Sequence, residues 1–258
     1  MRPNTLRTLK AAGTPILNAW LSIGSSYLAE IVAHGGYHAV TVDRQHGMMG
    51  FETALTMLQA ISTTDAVPLV RPSANDPAEM MRLLDAGAYG LICPMISTAA
   101  DAARFVSACR YPPVGTRSFG PSRGLLYGGP DYAAHADREI LALAMIETRE
   151  GLDNLDAILA TPGIDGIYVG PNDLALALGC APAPESDDPV MVAAIERIRS
   201  ATAAAGKMAG IFCSGGAGAA RRVREGFDLV TPGNDAMLLK GAMAASLRAV
   251  QEAGSARA

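Results

Sequence analysis

The chain has 258 residues, half of them hydrophobic, and a formal net charge of −4. It contains no block of Lys and Arg, which argues against a nucleic-acid-binding surface. No continuous apolar run approaches the roughly 20 residues that a membrane span needs. Length and composition therefore predict a soluble protein with one large domain or two small ones.

The start of the chain and the cysteines indicate a cellular compartment. The first 15 residues carry basic side chains without an apolar core after them, so they do not predict a secretory signal. No two of the four cysteines form a Cys-x-x-Cys pair. We interpret them as free thiols rather than disulfide partners or zinc ligands, which predicts a cytoplasmic location.

Short apolar runs recur along the chain, and a helical pattern follows each of them. Their hydrophobicity is continuous rather than alternating, which is typical of strands covered on both faces. The predicted strands are PILNAWL (15–21), HAVTVD (38–43), VPLVR (67–71), YGLICP (89–94), LALAMIE (141–147), GIYVG (166–170), KMAGIFC (207–213) and FDLVTPG (227–233).

The helices between these runs have recognisable first residues. Asp76 is a predicted N-cap, and Glu79 is placed to complete a capping box. Thr98 with Asp101 opens the next helix in the same way, and Asp188 before a proline opens a later one. Strands and helices therefore alternate along the chain.

Eight strand–helix units in one chain of this length predict an α/β fold, a (β/α)8 TIM barrel formed by residues 1–258 as a single domain. A doubly wound open sheet is the alternative, but its Gly-rich dinucleotide-binding turn is missing after the first strand. The longest irregular stretch, residues 110–131, is rich in Gly, Pro and Arg. Because long loops in compact domains are usually functional or disordered, we expect a lid or rim loop here.

Two acidic residues stand directly after predicted strands. Glu147 ends LALAMIE, and Asp173 follows GIYVG across a Gly-Pro turn. In a parallel barrel the carboxyl ends of all strands open onto one face, so both carboxylates are expected there. With water and a bidentate oxyanion they suit a divalent cation such as Mg²⁺ or Mn²⁺, and the amides of Asn172 and Asp173 could hold a substrate carboxylate. The alternatives are solvated loop acids and, for Asp173, a helix N-cap.

Basic groups follow two further strands. HAVTVDRQHG delivers His46, and VPLVRPS delivers Arg71. Taken singly, His46 also fits a structural hydrogen-bonding residue, and Arg71 a surface ion-pair partner. On one face with a metal site, they fit deprotonation beside a carbonyl, with the enolate stabilised by the metal and Arg71. No strand ends on a lysine that could form an imine; the lysines are Lys10, Lys207 and Lys240.

Several stretches resemble the HpcH/HpaI family of class II pyruvate aldolases, and the resemblance covers almost the whole chain. Among the densest are VDRQHG, RYPPVGTRSFG and IETREGLDNLDAILATPGIDGIYVGPNDLALALG. The resemblance implies reversible cleavage of a 4-hydroxy-2-oxo acid to pyruvate and an aldehyde. It also implies a divalent metal cofactor, Mg²⁺, Mn²⁺ or Co²⁺.

The resemblance implies roles for individual residues. Glu147 and Asp173 match the metal ligands, with pyruvate chelating the ion through its carboxylate and keto oxygens. Asn172 and Asp173 match the turn whose backbone contacts that substrate. His46 matches the acid/base residue, and Arg71 matches the cation that stabilises the enolate.

One further acid matches the family, and two positions differ from the residues that its members have. Asp85 matches an acid that raises the basicity of the histidine. It lies near the C-terminus of a predicted helix, so it would need a neighbouring subunit or an unusual path to reach His46, and a polar helix end is the alternative. Met145 stands where relatives have a substrate-binding glutamine, and Gln45 stands where many have a glutamate. We expect the chemistry to survive with altered affinity or aldehyde preference.

The expected partners are small molecules, namely pyruvate, aldehydes and hydroxy-oxo acids. Phe212 and residues 115–130 are expected to select the aldehyde. The family is oligomeric and often hexameric, so a homo-oligomer is expected. Apolar residues of the last helix are compatible with an interface and equally with ordinary packing: Met237, Leu238 and Leu239.

Two alternative functions remain open. One is a malyl-CoA or citramalyl-CoA lyase, whose nucleotide could be bound by the arginines of the long loop, Arg110, Arg117 and Arg123. The other is a barrel that binds metal and oxo acid without catalysis, an interpretation that Met145 keeps open.

Overall fold

The computed structural model describes residues 1–255, and its eight strands form a closed barrel. Each strand pairs in parallel with the next along the chain, and the last pairs with the first. The predicted barrel and all eight predicted strands are confirmed. The strands are β1 (Ile16–Leu21), β2 (Ala39–Asp43), β3 (Val67–Arg71), β4 (Gly90–Cys93), β5 (Leu141–Ile146), β6 (Gly166–Val169), β7 (Met208–Cys213) and β8 (Leu229–Pro232).

Helices separate consecutive strands and cover most of the outside of the barrel. This arrangement explains the continuous apolar runs, because a strand covered on both faces has few solvent-facing positions. The helices are α1 (Thr5–Ala11), α2 (Ser26–Ala33), α3 (Phe51–Ile61), α4 (Pro77–Asp85), α5 (Ala99–Cys109), α6 (Ser122–Gly128), α7 (Tyr132–Glu139), α8 (Arg149–Asp153), α9 (Leu155–Leu159), α10 (Pro171–Ala177), α11 (Pro189–Ala204), α12 (Gly216–Glu225) and α13 (Asp235–Ser255).

A buried polar layer fills the barrel interior beneath its carboxyl-terminal mouth. Asn18 donates a hydrogen bond to Thr231 (2.9 Å) and accepts one from Thr41 (2.9 Å). Tyr168 also donates to Thr231, at 2.7 Å. The ring of Trp20 lies above this layer, 5.5 Å from the Tyr168 ring between centroids. Because these polar groups satisfy one another, the layer can be buried and can support the floor of the mouth.

The predicted helix N-caps are confirmed. The Asp76 side chain accepts from the backbone at the start of α4, and the Asp188 side chain does so at the start of α11. Thr98 and Asp101 form the full capping box of α5. Each cap satisfies amide groups that have no partner within the helix, so each fixes where its helix begins.

Glu79 does not complete the cap at Asp76, and this part of the prediction is wrong. Its carboxylate instead accepts from the Ser73 amide at 2.9 Å and from two nitrogens of Arg44 at 3.0 and 3.2 Å. A guanidinium is the stronger partner, because charge-assisted hydrogen bonds are stronger than neutral ones. Glu79 thereby ties α4 to the turn after β2.

The segment 110–131 lies at the amino-terminal end of the barrel, so within one chain it is not the predicted lid or rim loop of the carboxyl-terminal mouth. The segment leaves α5 and leads towards β5, and a connection from a helix to the next strand returns to the end where strands begin. Arg123 donates to the Ala86 carbonyl at 2.7 Å, and Tyr127 packs edge-on against Tyr89. These contacts attach the segment to the base of the barrel.

The last helix, α13, does not cover the barrel as the other helices do. Its residues from 236 to 253 are exposed, apart from half-buried Ala244. A groove between α12 and the turn after α2 stays open on the outer face of β1 and β8, where Leu17 is 40% exposed. Apolar residues line this groove, among them Pro15, Leu17, Tyr37, Ala219, Val223 and Val230. In residues 1–255 no helix combines the length and apolarity needed to cross a bilayer.

Candidate active site at the barrel mouth

One cavity of about 280 Å³ opens at the carboxyl ends of the strands. It brings together every candidate site residue named from the sequence except Asp85. The candidates that line it are His46, Arg71, Met145, Glu147, Asn172, Asp173 and Phe212. Residues from several different strand ends and loops contribute, as expected where a parallel barrel gathers its loops on one face.

Glu147 is the least satisfied group of this cavity. It follows β5, is 2% exposed, and accepts a hydrogen bond from the Met95 amide through Oε1 at 2.8 Å. Its Oε2 atom is buried and has no hydrogen-bond partner within residues 1–255. Burial, with a smaller contribution from nearby Asp173, raises the pKa of this carboxyl to about 7, against the opposing influence of the Met95 amide and Arg71. Such a site would gain from a bound cation.

Asp173 approaches the same cavity from the next strand loop. The N-cap of α10 is Gly170, and Asp173 lies in the first turn of the helix, so the alternative interpretation of Asp173 as an N-cap is wrong. Its side chain is exposed to the cavity, and its charge acts on Glu147. The two carboxylates therefore face one space, although 26 positions (173 − 147) separate them in the sequence.

Arg71 is not a surface ion-pair partner but a buried one. The register of β2 and β3 places it beside Asp43, and its Nε and Nη2 atoms donate to the two Asp43 oxygens at 2.8 and 2.6 Å. Its guanidinium also lies 4.9 Å from the Trp20 ring centre. The Trp20 Nε1 atom donates to Asp43 at 3.1 Å. Hydrogen bonds from Arg71 hold the pKa of Asp43 below its usual range despite burial, so the pair is ionised.

The turn that carries His46 is fastened to the same carboxylate. Asp43 Oδ1 accepts from the backbone amides of Gln45 (3.0 Å) and His46 (3.2 Å). Gly47 is required next, because a Cβ atom there would lie 2.1 Å from the Asp43 carbonyl oxygen. The His46 side chain is exposed at the cavity wall. Asp43 therefore links the cation and the imidazole in one arrangement.

The structure does not bring Asp85 to this cavity. Asp85 ends α4 at the opposite end of the barrel, where it accepts from Arg117 at 2.7 Å. Desolvation raises the pKa of Asp85, although Arg117 opposes the shift. Within a single chain, its contact is the buried guanidinium and not His46.

The loop arginines that could serve a nucleotide are also occupied at that opposite end. Arg110 donates to Asp165 and to the Gly163 carbonyl, both at 3.1 Å. Arg117 is 1% exposed and bonds Asp85, and Arg123 binds backbone carbonyl groups. None of the three lines the cavity at the mouth.

Three lining residues were missed in the sequence, Trp20, Ser22 and Asn234, and a fourth, Met237, was named only as a possible interface residue. They lie in or after β1 and β8, so a systematic search of every strand end would have included them. Asp235 joins these two loops, because its carboxylate accepts from the amides of Ser22 (2.8 Å) and Ile23 (3.0 Å).

The donor set fits a divalent cation that is also coordinated by substrate and water. No group of three or more His, Cys, Asp or Glu side chains within residues 1–255 is arranged to hold a metal. The two carboxylates at the mouth would leave several positions open, and hard cations accept such mixed oxygen ligands. The buried free oxygen of Glu147 is the structural feature that points to a cation here.

Comparison with known proteins shows the family to which the chain belongs. The family model described as HpcH/HpaI aldolase/citrate lyase matches residues 17–242. The hydroxypyruvate/pyruvate aldolase of Rhizorhabdus wittichii is 46% identical over 239 residues, which cover 93% of this chain and 95% of that protein. The 4-hydroxy-2-oxo-heptane-1,7-dioate aldolase of Salmonella arizonae is 40% identical over 249 residues, covering 95% and 94%. A solved HpcH/HpaI aldolase/citrate lyase family protein from Burkholderia cenocepacia J2315 has a TM-score of 0.89 at 34% identity, covering 96% and 99%.

Proposed function

Because the chain belongs to the HpcH/HpaI aldolase/citrate lyase family, we propose that it is a class II, metal-dependent pyruvate aldolase. Its reaction is the reversible cleavage of a 4-hydroxy-2-oxo acid to pyruvate and an aldehyde. The relatives named hydroxypyruvate/pyruvate aldolase and 4-hydroxy-2-oxo-heptane-1,7-dioate aldolase support this reaction class. The observation that carries the proposal is the buried, unpartnered Oε2 of Glu147 in a cavity shared with Asp173 and Arg71.

Glu147 and Asp173 would hold the metal, which we propose to be Mg²⁺, Mn²⁺ or Co²⁺. When bound, the ion supplies a Lewis acid that polarises the oxygens of the 2-oxo acid. The first-turn amides of Asn172 and Asp173 would orient the substrate carboxylate. Met145, 3% exposed in place of a glutamine, gives the pocket wall an apolar surface instead of a hydrogen-bonding one.

His46 and Arg71 would move the proton and stabilise the charge. In the cleavage direction His46, directly or through a water, takes the proton of the C4 hydroxyl. The C3–C4 bond then breaks, its electron pair stays with the pyruvate fragment as an enolate, and the aldehyde leaves. Arg71, held rigid by Asp43 and Trp20, stabilises the negative charge of that enolate until C3 is protonated.

Phe212 would contribute to the choice of aldehyde. Its ring meets the Trp20 ring edge-on at 5.9 Å, and both rings line the cavity. Residues 115–130 cannot share this role within one chain, because they lie at the other end of the barrel. The cavity volume of about 280 Å³ suits pyruvate with a small aldehyde.

Metal dependence is the decisive test. We expect excess EDTA to abolish carbon–carbon bond formation between pyruvate and a panel of aldehydes, and Mn²⁺, Mg²⁺ or Co²⁺ to restore it. Activity that persists in the chelated protein would rule out the proposed mechanism. Malyl-CoA serves as the competing substrate, and its preferential cleavage would favour the CoA-thioester alternative. Metal-dependent deuterium exchange into the pyruvate methyl group would separate an enzyme from a non-catalytic binder.

We also propose that the protein is a homo-oligomer in which α13 of one copy packs on another copy. Met237, Leu238 and Leu239 are all exposed in the single chain; Met237 lines the cavity at the mouth, and the exposure of Leu238 and Leu239 favours an interface over ordinary packing. Further along α13, one face carries an exposed apolar stripe: Leu239, Met243, Leu247 and Val250. The open apolar groove on β1 and β8 offers a matching surface. A hexamer is the size that the family resemblance implies.

Light scattering after gel filtration would test this assembly. We expect Leu247→Glu to lower the molar mass, whereas Ala203→Glu, at an exposed position on α11, should leave it unchanged. Mixing an Ala220→Cys protein with a Leu247→Cys protein should give a disulfide-linked dimer, because one residue lines the groove and the other lies on the helix. A wild-type monomer would contradict the proposal.

A further inference from the structure

Met95 has an unusual backbone conformation beside the proposed metal site. Its φ angle is 57°, and it is the sole non-glycine residue with a positive φ in the described part of the chain. A left-handed conformation is costly for a residue with a Cβ atom, so it persists only where surrounding contacts impose it. The Met95 side chain is 54% exposed and therefore does not impose the conformation through packing.

The conformation directs a backbone amide at Glu147. The Met95 N–H donates to Glu147 Oε1 at 2.8 Å, and the next amide, of Ile96, donates to the Met145 carbonyl at 3.3 Å. The turn after β4 is thus attached to the end of β5 at two successive positions. Because Oε1 is occupied by the amide, the other oxygen is the one left free.

Gly170 borders Glu147 from the opposite side. A Cβ atom at this position would lie 2.3 Å from Glu147 Oε2 and 3.1 Å from Glu147 Cβ. The backbone at Gly170 has a φ of −97°, which other residues adopt freely, so glycine is needed here for space alone. Any larger residue would displace the oxygen that is proposed to bind the ion.

We propose that the Met95 amide and the Gly170 backbone are positioning elements that fix the Glu147 carboxylate in its ion-binding orientation before the ion arrives. This inference rests on the proposed metal-dependent function. It adds an explanation of how the Glu147 carboxylate is held in the orientation that binds the ion. The amide holds one oxygen and the missing side chain at Gly170 leaves room for the other. Preorganisation of this kind raises the affinity for the metal ion, because the Glu147 carboxylate does not have to be ordered when the ion binds.

Gly170→Ala is the first test, with Mn²⁺ affinity measured by calorimetry in the absence of substrate. We expect affinity to fall by about 10–100-fold, the range seen when groups that support metal ligands are altered. The matched control is Gly215→Ala at the same end of the barrel, where an added Cβ meets nothing within 4 Å and affinity should not change. In a Glu147→Asp background, Gly170→Ala should cost less affinity than in the wild type, because the shorter acid removes the 2.3 Å clash with Oε2 and leaves only the longer contacts with Met145 Cε and the Cβ atom of residue 147.

A series at Met95 tests the amide. Met95→Gly and Met95→Asn accept the left-handed conformation and should bind Mn²⁺ within about twofold of the wild type. Met95→Val disfavours it and should bind about tenfold more weakly. Circular dichroism of the metal-free proteins checks the fold, and if Met95→Val fails to fold, the Gly170→Ala cycle decides alone.

The outcomes separate this inference from the proposed function. If the wild type binds Mn²⁺ and needs it, but Gly170→Ala binds Mn²⁺ as tightly as the wild type, the positioning inference is overturned and the aldolase proposal stands. Equal losses from Gly170→Ala in the wild-type and Glu147→Asp backgrounds would likewise overturn it. If the wild type neither binds Mn²⁺ nor loses activity in EDTA, the proposed function itself fails.

Discussion

Acidic side chains with little exposure lie at both ends of the barrel but differ in their partners. At the amino-terminal end, three acids below the strands have basic partners in the chain: Asp85 with Arg117, Asp165 with Arg7 and Arg110, and Asp228 with Lys10. At the carboxyl-terminal mouth, Glu147 is buried with one oxygen unpaired, and Arg71, the cation that lowers its pKa, is already bound to Asp43. At the mouth, Asp43 is thus paired with Arg71, whereas the free oxygen of Glu147 is left for a ligand.

This difference teaches which acids serve stability and which serve function. An acid with a fixed partner contributes to folding, and its removal leaves the partner buried without a counter-charge. A buried acid without a partner costs folding free energy, so its presence is explained by what it binds. Substitutions at the two ends should therefore have opposite consequences.

The largest expected effect follows from removing the unpaired acid. Glu147→Gln keeps the size and the hydrogen bond from Met95 but removes the charge, so kcat/KM for aldol cleavage should fall by about 1000-fold or more. Mn²⁺ affinity should fall with it, in a calorimetric titration. Glu150→Gln, three residues further on and exposed, is the control and should keep wild-type activity. Wild-type turnover in Glu147→Gln would remove the basis of the comparison.

Substitutions of paired acids at the amino-terminal end should lower the stability of the protein. Asp85→Asn leaves the fully buried Arg117 guanidinium without its counter-charge, which should cost about 3 kcal/mol of the free energy of unfolding in urea. Asp65→Asn, which weakens an exposed pair with Arg2 at 3.4 Å, should cost almost nothing. The same Asp85 variant tests the role that the family resemblance implies for this acid. An altered pH profile of kcat in Asp85→Asn would indicate that it also acts on His46 of another subunit.

The eight strands are predictable from the sequence because burial on both faces leaves a continuous apolar run. The site is partly predictable for a related reason, since Glu147, Asp173, His46 and Arg71 all follow or end strands, whose carboxyl ends share one face. The bond between Arg71 and Asp43 is not predictable in this way, because it depends on the register of two strands. The ion pair with Asp43 is what distinguishes a buried Arg71 at the site from a surface arginine, and this pair is visible only in the three-dimensional structure.

Two wrong predictions have distinct physical causes. The spacing from Asp76 to Glu79 fits a capping box, but Arg44 lies close in space and is the stronger partner. Length and composition suggest that the segment 110–131 belongs at the mouth. Its position between a helix and the next strand gives the better guide, since such connections lie at the amino-terminal end. The order of elements along the chain therefore predicts the location of this segment better than its composition does.

A pH dependence should distinguish the unpaired acid from the paired ones. The rise of the Glu147 pKa from 4.5 to about 7 means that the folded state keeps a proton which the unfolded state loses between these values. The metal-free protein should therefore lose stability as the pH rises through this window, by about 3 kcal/mol in total, from the 2.5-unit difference (7 − 4.5).

The measurement is urea unfolding of the wild type and Glu147→Gln, both in EDTA, from pH 4.5 to 8. The difference between the two proteins reports Glu147 and its interaction with Asp173, because acids that do not interact with Glu147 contribute equally to both. We expect Glu147→Gln to match the wild type at the acidic end and to be the more stable protein at pH 8. A constant difference across the range would show that Glu147 titrates normally in the metal-free protein.

The smallest expected effect concerns an acid that lies near the mouth but has hydrogen-bond partners. It tests whether position near the mouth, without an unpaired oxygen, matters for activity. Asp101 opens α5 near the mouth, but its carboxylate accepts from the Thr98 amide (2.9 Å) and hydroxyl (2.8 Å). Thr98→Ala should cost about 1 kcal/mol of unfolding free energy, as the loss of a helix cap does, with unchanged kcat/KM. Thr56→Ala, at a position within α3, is the control and should change stability by a few tenths of a kcal/mol at most. A fall in activity with Thr98→Ala would mean that location near the mouth alone suffices for a catalytic effect. Unchanged activity would mean that the functional acid is identified by the unpaired oxygen of Glu147 and not by a position near the mouth of the barrel.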